Sequence, residues 1–374
     1  MIDTIAAPSN TNLRKADAFR VMRQRVDEYF AKTGKSKHAP PFIIFKVILL
    51  LTSLFLTWGL AMWTTSPILA ICSWAVFGFV TALIGMNVAH DGLHGGFSGN
   101  HKLNEAIGLS LNLIGGNGYI WKIMHNQVHH TFTNVVGVDD DLEAVPGVRM
   151  HAGKPLRAIN RGQHIYVWFL YAFATLFWVF LKDFRKFFSA SVGGVKRSQH
   201  PAKEWVILFV TKFIYYGLFL VLPLMISNVA TGWVVAGFLL SHAIGGMTLG
   251  IIFQMAHCVE GPEFPKPGVK AVLTESFVEH QLKTTANFAT HDPVMIFICG
   301  GLNFQVEHHL FPKVSHGHYP AIAPIVKQTA LEYGLPYIEQ PTFWYAIRSH
   351  YRILKRFGHE VSPEIPPAHN LNLA

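Results

Sequence analysis

Four runs of apolar residues, each near the roughly 20 that a helix needs to cross a bilayer, organise the chain into two pairs. The first pair covers about 42–63 (FIIFKVILLLTSLFLTWGLAMW) and 67–89 (PILAICSWAVFGFVTALIGMNVA), with only TTSP marking the break. The second covers about 205–226 (WVILFVTKFIYYGLFLVLPLMI) and 232–255 (GWVVAGFLLSHAIGGMTLGIIFQM), joined through SNVAT. Connectors this short predict two helical hairpins. Two further apolar stretches are weaker. Residues 106–121 are too short and too interrupted by glycine to span; 163–181 (QHIYVWFLYAFATLFWVFL) are long enough. A fifth span, however, would put the histidine-bearing segments on opposite sides of the membrane, so 163–181 is expected to lie in the interface, where its aromatic side chains are well placed. No alternating strand pattern and no internal repeat occurs. The predicted fold class is all-α integral membrane: four transmembrane helices in two hairpins, with a cytosolic helical cap. The expected organisation is a cytosolic segment over 1–40 with a helix in its middle, a membrane-bound domain over 41–345, and a cytosolic tail over 346–374 that is proline-rich and loose from Ser362 on.

Composition supports the membrane reading. Hydrophobic residues make up 51% of the chain and charged residues 14%, against about 25% charged in a typical soluble domain, and the mean hydropathy is +0.29. The formal net charge of +9 flanks the apolar runs and forms no basic domain of its own, so nucleic acid is not an expected partner and membrane lipid is. Both short connectors lack Lys and Arg, whereas the first 40 residues and 182–203 (KDFRKFFSASVGGVKRSQHPAK) are rich in them. The positive-inside rule then places both termini and the long connections in the cytoplasm. The polar opening MIDTIAAPSN does not read as a cleaved secretory signal. Cys72, Cys258 and Cys299 are too scattered for a disulfide framework or a zinc knuckle.

The unusual feature is 21 histidines. His90-Asp-Gly-Leu-His94 sits at the end of the second run, and His125-Asn-Gln-Val-His129-His130 repeats the i, i+4 pair with a third imidazole. Gln305-Val-Glu-His308-His309 completes the set. On a helix, i and i+4 share a face and reach one ion. One such pair alone is more often two satisfied polar residues. Seven histidines and a glutamine in three clusters, all predicted on one side of the membrane, are a metal centre. A structural zinc closes with four ligands, so this many imidazoles point to two ions. Ligand type leaves zinc, copper, iron and nickel open; two irons suit O2 chemistry, two zincs hydrolysis. Carboxylates are sparse, so the set is richer in nitrogen than that of soluble di-iron bundles.

HDGLH, HNQVHH and QVEHHLFP, in this order and between two hydrophobic pairs, resemble the histidine boxes of the membrane-bound fatty acid desaturases. The glutamine at the head of the third box is similar to the front-end subgroup, which inserts a double bond between an existing one and the carboxyl end. HHTFTNVVGVDDDLE (129–143), HQLKTTANFA (280–289) and GGLNFQVEHHLFPKVSHGHYP (300–320) agree, and the resemblance covers roughly 40–340. It implies a cytosolic centre of two iron ions with O2 as co-substrate and a buried, bent tunnel for a fatty acyl chain carried on lipid, CoA or carrier protein. It further implies His90, His94, His125, His129, His130, His308 and His309 as ligands. His257, in FQMAHCVEG, matches the histidine that relatives use after the fourth span; His280 is its competitor and is expected nearby but off the metal. Gln305 stands where relatives of other specificity carry histidine and is expected to bind weakly or through water. Many front-end enzymes carry a fused b-type cytochrome domain. No HPGG-like haem motif occurs here, so a separate electron donor, a ferredoxin or a free b-type cytochrome, is expected, docking on the basic surface.

Other residues are weighed against plainer roles. Asp91 and Glu307, inside the first and third boxes, are expected to orient ligand imidazoles, with helix-end solvation as the plain alternative. Asp139, Asp140 and Asp141 follow the second box and suit either orientation of ligands or of the substrate head, or a solvated turn. His242, mid-span, reads as an interhelical hydrogen-bonding group, with Gly245 and Gly246 beside it for close packing. His316 and His318 read as loop residues, and the aromatics of 165–188 as interface packing. The competing functions are a lipid hydroxylase on the same scaffold and, from another class, a metal transporter, whose ligands belong near the bilayer midplane.

Overall fold

The computed structural model describes residues 15–143, 145, 147–266 and 275–360; the loose tail expected from Ser362 lies outside them. Helix α1 (Ala18–Thr33) repeats apolar residues at i, i+4, and Ala18, Met22, Val26 and Phe30 are its buried face. Gly34, at φ +63°, ends it. The first two apolar runs form α2 (Pro41–Trp63) and α3 (Pro67–His94). Each starts with proline at its first turn, where the missing N–H has no partner to lose, and Ser66 accepts the Leu69 N–H ahead of α3. A π-helical turn at Gly85–Ala89 leads into His90 and shifts the register so that every residue of His90–His94 is buried. A second π-helical stretch, α4 (Lys122–His129), carries the middle box.

Residues 163–181, expected to lie in the interface, form no single straight helix. They fall in α5 (Ala158–Ala172) and α6 (Ala174–Phe188), which bend by 59° to one another. Val167, Tyr171, Thr175 and Val179 are buried on the inner side, while Ile165, Phe169, Phe173 and Leu181 face out. The second pair of apolar runs becomes α7 (Ala202–Ile226) and α8 (Thr231–His257). Among the described residues four helices are thus long and apolar enough to cross a membrane, or five if the bent pair counts as one span. Phe45, Leu56, Phe213 and Met225 project outward from α2 and α7, as lipid-facing side chains do.

Glycine lets the spans meet backbone to backbone. A Cβ on Gly78 of α3 would stand 2.1 Å from the Ser241 carbonyl oxygen of α8, and one on Gly246 2.5 Å from the Tyr171 carbonyl oxygen. Asn228, in the α7–α8 connector, donates its backbone N–H to Met62 O (3.1 Å) and its amide to Trp63 O (3.0 Å). The two short connectors therefore sit side by side, and the histidine-bearing ends of α3 and α8 meet at the other end. Lys212, buried within α7, donates to Asp183 (2.8 Å), Gly115 O (2.6 Å) and Val179 O (2.7 Å), a tie across the core that the apolar pattern concealed.

Past the spans come α9 (Phe277–Thr284), α10 (Gln305–Leu310), α11 (Tyr319–Glu332) and α12 (Phe343–Phe357). Together with α1 the first three bury Val278, Leu282, Val306, Ile322 and Val326 in one cluster, while α12 places Ile353, Leu354 and Phe357 in another with Val167 and Tyr171. Two-residue strands pair Asn287–Phe288 in parallel with Glu339–Gln340. The boundary expected at 346 falls inside α12, whose residues Ala346, His350, Ile353 and Leu354 are buried. That helix belongs to the folded body.

Candidate metal centre

Three helices deliver the three boxes and a fourth adds His257. His90 and His94 lie one turn apart at the end of α3. Gly92 between them permits the approach of the next helix, since a Cβ there would stand 2.6 Å from the Gly108 nitrogen. His125 and His129 ride on α4, with Trp121 stacked on His125 at 4.3 Å between centroids. His308 and His309 lie on α10, and His257 is the last residue of α8.

The structure brings all eight imidazoles together, each at most 8% exposed. Ligand atoms of His90, His94, His125 and His308 lie within 4.8 Å of one another, and so do those of His129, His257 and His309. His130 joins the two groups through His308 and His309. The Nε2 atoms of His90, His94, His129 and His308 are buried and meet no hydrogen-bond partner among the described residues, and the same holds for Nδ1 of His130 and Oε1 of Gln305. Burial of bare polar nitrogens is costly unless a cation completes them. A nitrogen-only set of this kind suits zinc, copper, iron or nickel, and its two groups fit a pair of ions.

The outer ring nitrogens of His129 and His309 are held. His129 Nδ1–H donates to Asp139 (2.9 Å), whose same oxygen accepts the Asn134 N–H (2.9 Å). His309 Nδ1–H donates to Gln281 Oε1 (2.8 Å), and Gln281 donates to His130 O (3.0 Å). Thr133 donates to His129 O (2.7 Å). Such partners fix tautomer and ring orientation. Gln281 and Thr133 were not singled out from the sequence; the signal for them was proximity to His280 and His129. Gln305 stands between His257 Nε2 (2.8 Å) and His309 Nε2 (3.2 Å). A half-turn of its amide presents oxygen in place of nitrogen.

Some residues take other roles than expected. His280 is buried on α9 but joins neither group. Asp91 accepts from Ser315 (2.8 Å) and lies 2.9 Å from His316, so its partners are outside the ligand histidines and His316 is a buried anchor, not a loop residue. Glu307 accepts from Asn287 (2.8 Å) and Tyr337 (2.8 Å), tying α10 to the short strands. Asp140 pairs with Lys186; Asp141 lies 3.9 Å from Lys182 and 3.8 Å from His129 Nδ1. His242 meets Tyr215 OH (3.0 Å) and Thr175 (3.1 Å), an interhelical bridge. His318 donates to His38 O (2.9 Å).

Burial first, and then the neighbouring imidazoles, push His125, His130, His308 and His309 well below the usual histidine range. His129 goes the other way. Burial would lower it too, but the charge and hydrogen bond of Asp139, with Asp141 behind, hold it above the ordinary value. Burial raises Glu307 to about 7 against the pull of Tyr337 and Asn287.

A cavity opens beside the first group, with about 1370 Å³ of atom-free space, part of it open to the outside. His90, Trp121 and His125 form one wall; Leu111, Ile114, Phe177 and Leu249 continue it as an apolar passage, and Asp141 and Lys182 line it as well. A smaller space of about 430 Å³ shares Leu111, Ile114, Trp178 and Leu249 and reaches His242 and Tyr215. The aromatics of α5 and α6 thus line a cavity, beyond the interface packing expected of them.

A model of the family described as fatty acid desaturase matches residues 64–341. The chain is 36% identical over 346 residues to an acyl-lipid (8-3)-desaturase of Physcomitrium patens, covering 91% of this chain and 72% of that one. It is 33% identical to the sn-1 linoleoyl-lipid 6-desaturase of Synechocystis, over 91% of this chain and 95% of the relative. An acyl-lipid (8-3)-desaturase of Mortierella alpina is 30% identical, over 76% of this chain and 64% of its own.

Proposed function

Because this chain belongs to the fatty acid desaturase family, we propose that it binds two iron ions in its paired histidine groups and uses O2 to place a double bond on the carboxyl side of an existing one in a lipid-linked acyl chain. One observation carries this reading: eight buried imidazoles, several with bare nitrogens, gather in two groups, and two of them, His90 and His125, stand in the wall of an apolar cavity. The names of the relatives, with activities counted from the carboxyl end or from an existing double bond, support the front-end position and the acyl-lipid substrate. The positive charge of the long connections supports a cytoplasmic centre and cytoplasmic termini, and the side-by-side connectors support two hairpins.

The residues divide the work. In this reading His90, His94, His125 and His308 hold one ion, and His129, His257 and His309 the other, with His130 between them and Gln305 beside the second, directly or through water. The iron pair supplies an O2-derived oxidant strong enough to take hydrogen from an unactivated methylene. Everything else is positioning. Asp139 and Gln281 keep the Nδ1–H form of His129 and His309, leaving Nε2 free to bind metal. Trp121, stacked on His125, and the apolar wall of Leu111, Ile114 and Leu249 exclude water from the reacting carbons. Asp141 and Lys182, the charged lining of the cavity, suit the polar head of a lipid. Electrons come from a separate acidic carrier, a ferredoxin or a b-type cytochrome.

The test is expression in a host of simple lipid profile, with fatty acids analysed by gas chromatography–mass spectrometry beside a His308→Ala control. A new unsaturated species that depends on His308 is expected, and its fragmentation gives the bond position. Hydroxylated chains instead would establish oxygen insertion and overturn desaturation.

A further inference from the structure

Each turnover of the proposed reaction needs two electrons from outside. O2 takes four in becoming two waters; two leave with the hydrogens of the –CH2–CH2– unit, and two arrive, with two protons, from a one-electron carrier that acts twice. The point at which such a carrier meets the protein has no assignment.

Helix α12 has the two faces this task requires. Outward, Arg348, Arg352, Lys355 and Arg356 are exposed. Arg352 pairs with Glu260 and Arg356 with Glu360, while Arg348 and Lys355 have no acidic partner among the described residues. The last turn of α12 abuts the start of α5, where a Cβ on Gly358 would stand 2.3 Å from the Asn160 carbonyl oxygen. Exposed Arg157 and Arg161 on either side of Asn160 extend the basic patch. Inward, His350 is fully buried. Its Nδ1–H donates to the Cys258 carbonyl (2.6 Å), and its Nε2 accepts from Tyr171 OH (2.8 Å). Ser349 accepts the Glu260 N–H (2.8 Å). Cys258 is the residue after His257, and Tyr171 lines the cavity. One short hydrogen bond and the backbone of Cys258 thus separate the helix under the basic face from a residue of the second histidine group.

Resting on the desaturase reading, we propose that the basic face of α12 docks an acidic one-electron carrier protein and that electrons pass inward through His350 and Cys258 to the His257 side of the centre. Complementary charge steers such encounters and makes them depend on salt. An anionic lipid surface would meet the same cations, but it has no use for a hydrogen-bonded bridge leading inward to residue 258.

The full-length protein in detergent is titrated with oxidised plant-type [2Fe–2S] ferredoxin at several salt concentrations. Arg348→Glu with Lys355→Glu is expected to weaken binding by about tenfold and to flatten its salt dependence. Unchanged affinity overturns the docking face, and so does unchanged affinity with loss of co-purified phosphatidylglycerol, which assigns the face to lipid. In the iron-loaded protein without O2, His350→Phe is expected to slow oxidation of reduced ferredoxin while its affinity and reduction by dithionite stay as in the wild type. His350→Gln, which can still donate to the Cys258 carbonyl, is expected to retain most of the rate. Wild-type rates in the Phe variant, or equal loss in both variants, overturn the route. Product formation by the wild type is scored separately: ferredoxin binding without product fails the desaturase reading, and product with unaltered binding by the double variant fails only this proposal.

Discussion

Asp139 does more than its place in an acidic turn suggests. Its carboxylate is 1% exposed, holds His129 Nδ1 and closes the backbone turn at Asn134. Replacing an outer partner of this type costs on the order of 10–100-fold in metal affinity or activity. Asp139→Asn is therefore expected to retain the fold and to lose iron, read as metal content per protein after dialysis against a weak chelator. Iron content equal to wild type would reduce Asp139 to a turn residue. Glu307 marks the contrast. Its oxygens go to Asn287 and Tyr337, so Glu307→Ala strands a buried amide donor and a half-buried hydroxyl and is expected to cost about 1–3 kcal/mol of stability, with the ligand imidazoles left in place. At this scale the boxes were legible because i, i+4 histidines need only a helix to converge. The partners of Asp91 and Glu307, and the role of Gln281, were not. They depend on which segments the chain brings together across 20 to over 200 residues, and no local spacing encodes that.

Among the elements, the spans were legible from hydropathy because bilayer thickness sets their length. The bent pair was not. Residues 163–181 carry the same apolar signal whether they span, lie flat or fold back; the tight approach of Gly246 and Gly250 of α8 to Tyr171 decides their placement. The π-helical turns before His90 and over Lys122–His129 were equally hidden, since one extra residue per turn leaves no mark on hydropathy. The contact of α3 with α8 is a single-atom affair. Gly78→Ala places a methyl 2.1 Å from the Ser241 carbonyl oxygen, and overpacking of this type costs about 1–3 kcal/mol. The expected result is a lower unfolding temperature in detergent together with reduced iron content, because the two helices carry His90, His94 and His257 at their far ends. Unchanged stability would mean the spans slide apart freely, which the adjacent connectors at Asn228 oppose.

Over the whole molecule, the buried imidazoles make acid the natural disruptor. His125, His130, His308 and His309 titrate in the folded chain well below the roughly 6.5 they have when unfolded. Between those values the unfolded chain binds more protons, so stability is complete above about pH 6.5 and falls as pH drops from there toward the depressed values. His129, raised by Asp139, has the opposite sign: what it contributes is present below about 6.5 and fades as pH rises through its folded value. Glu307, raised to about 7, has the same sign as His129, and four groups against two leave a net loss toward acid. In the metal-free protein the unfolding temperature is expected to decline as pH falls from 7.5 to 5, and in the iron-loaded protein metal should leave over the same interval. Asp139→Asn removes the His129 contribution, because burial then lowers His129 with the rest, so its decline should be steeper than in the wild type. A flat profile in both proteins would mean that these imidazoles are solvated in the folded state and do not form the closed, dry pair of groups on which the metal reading depends.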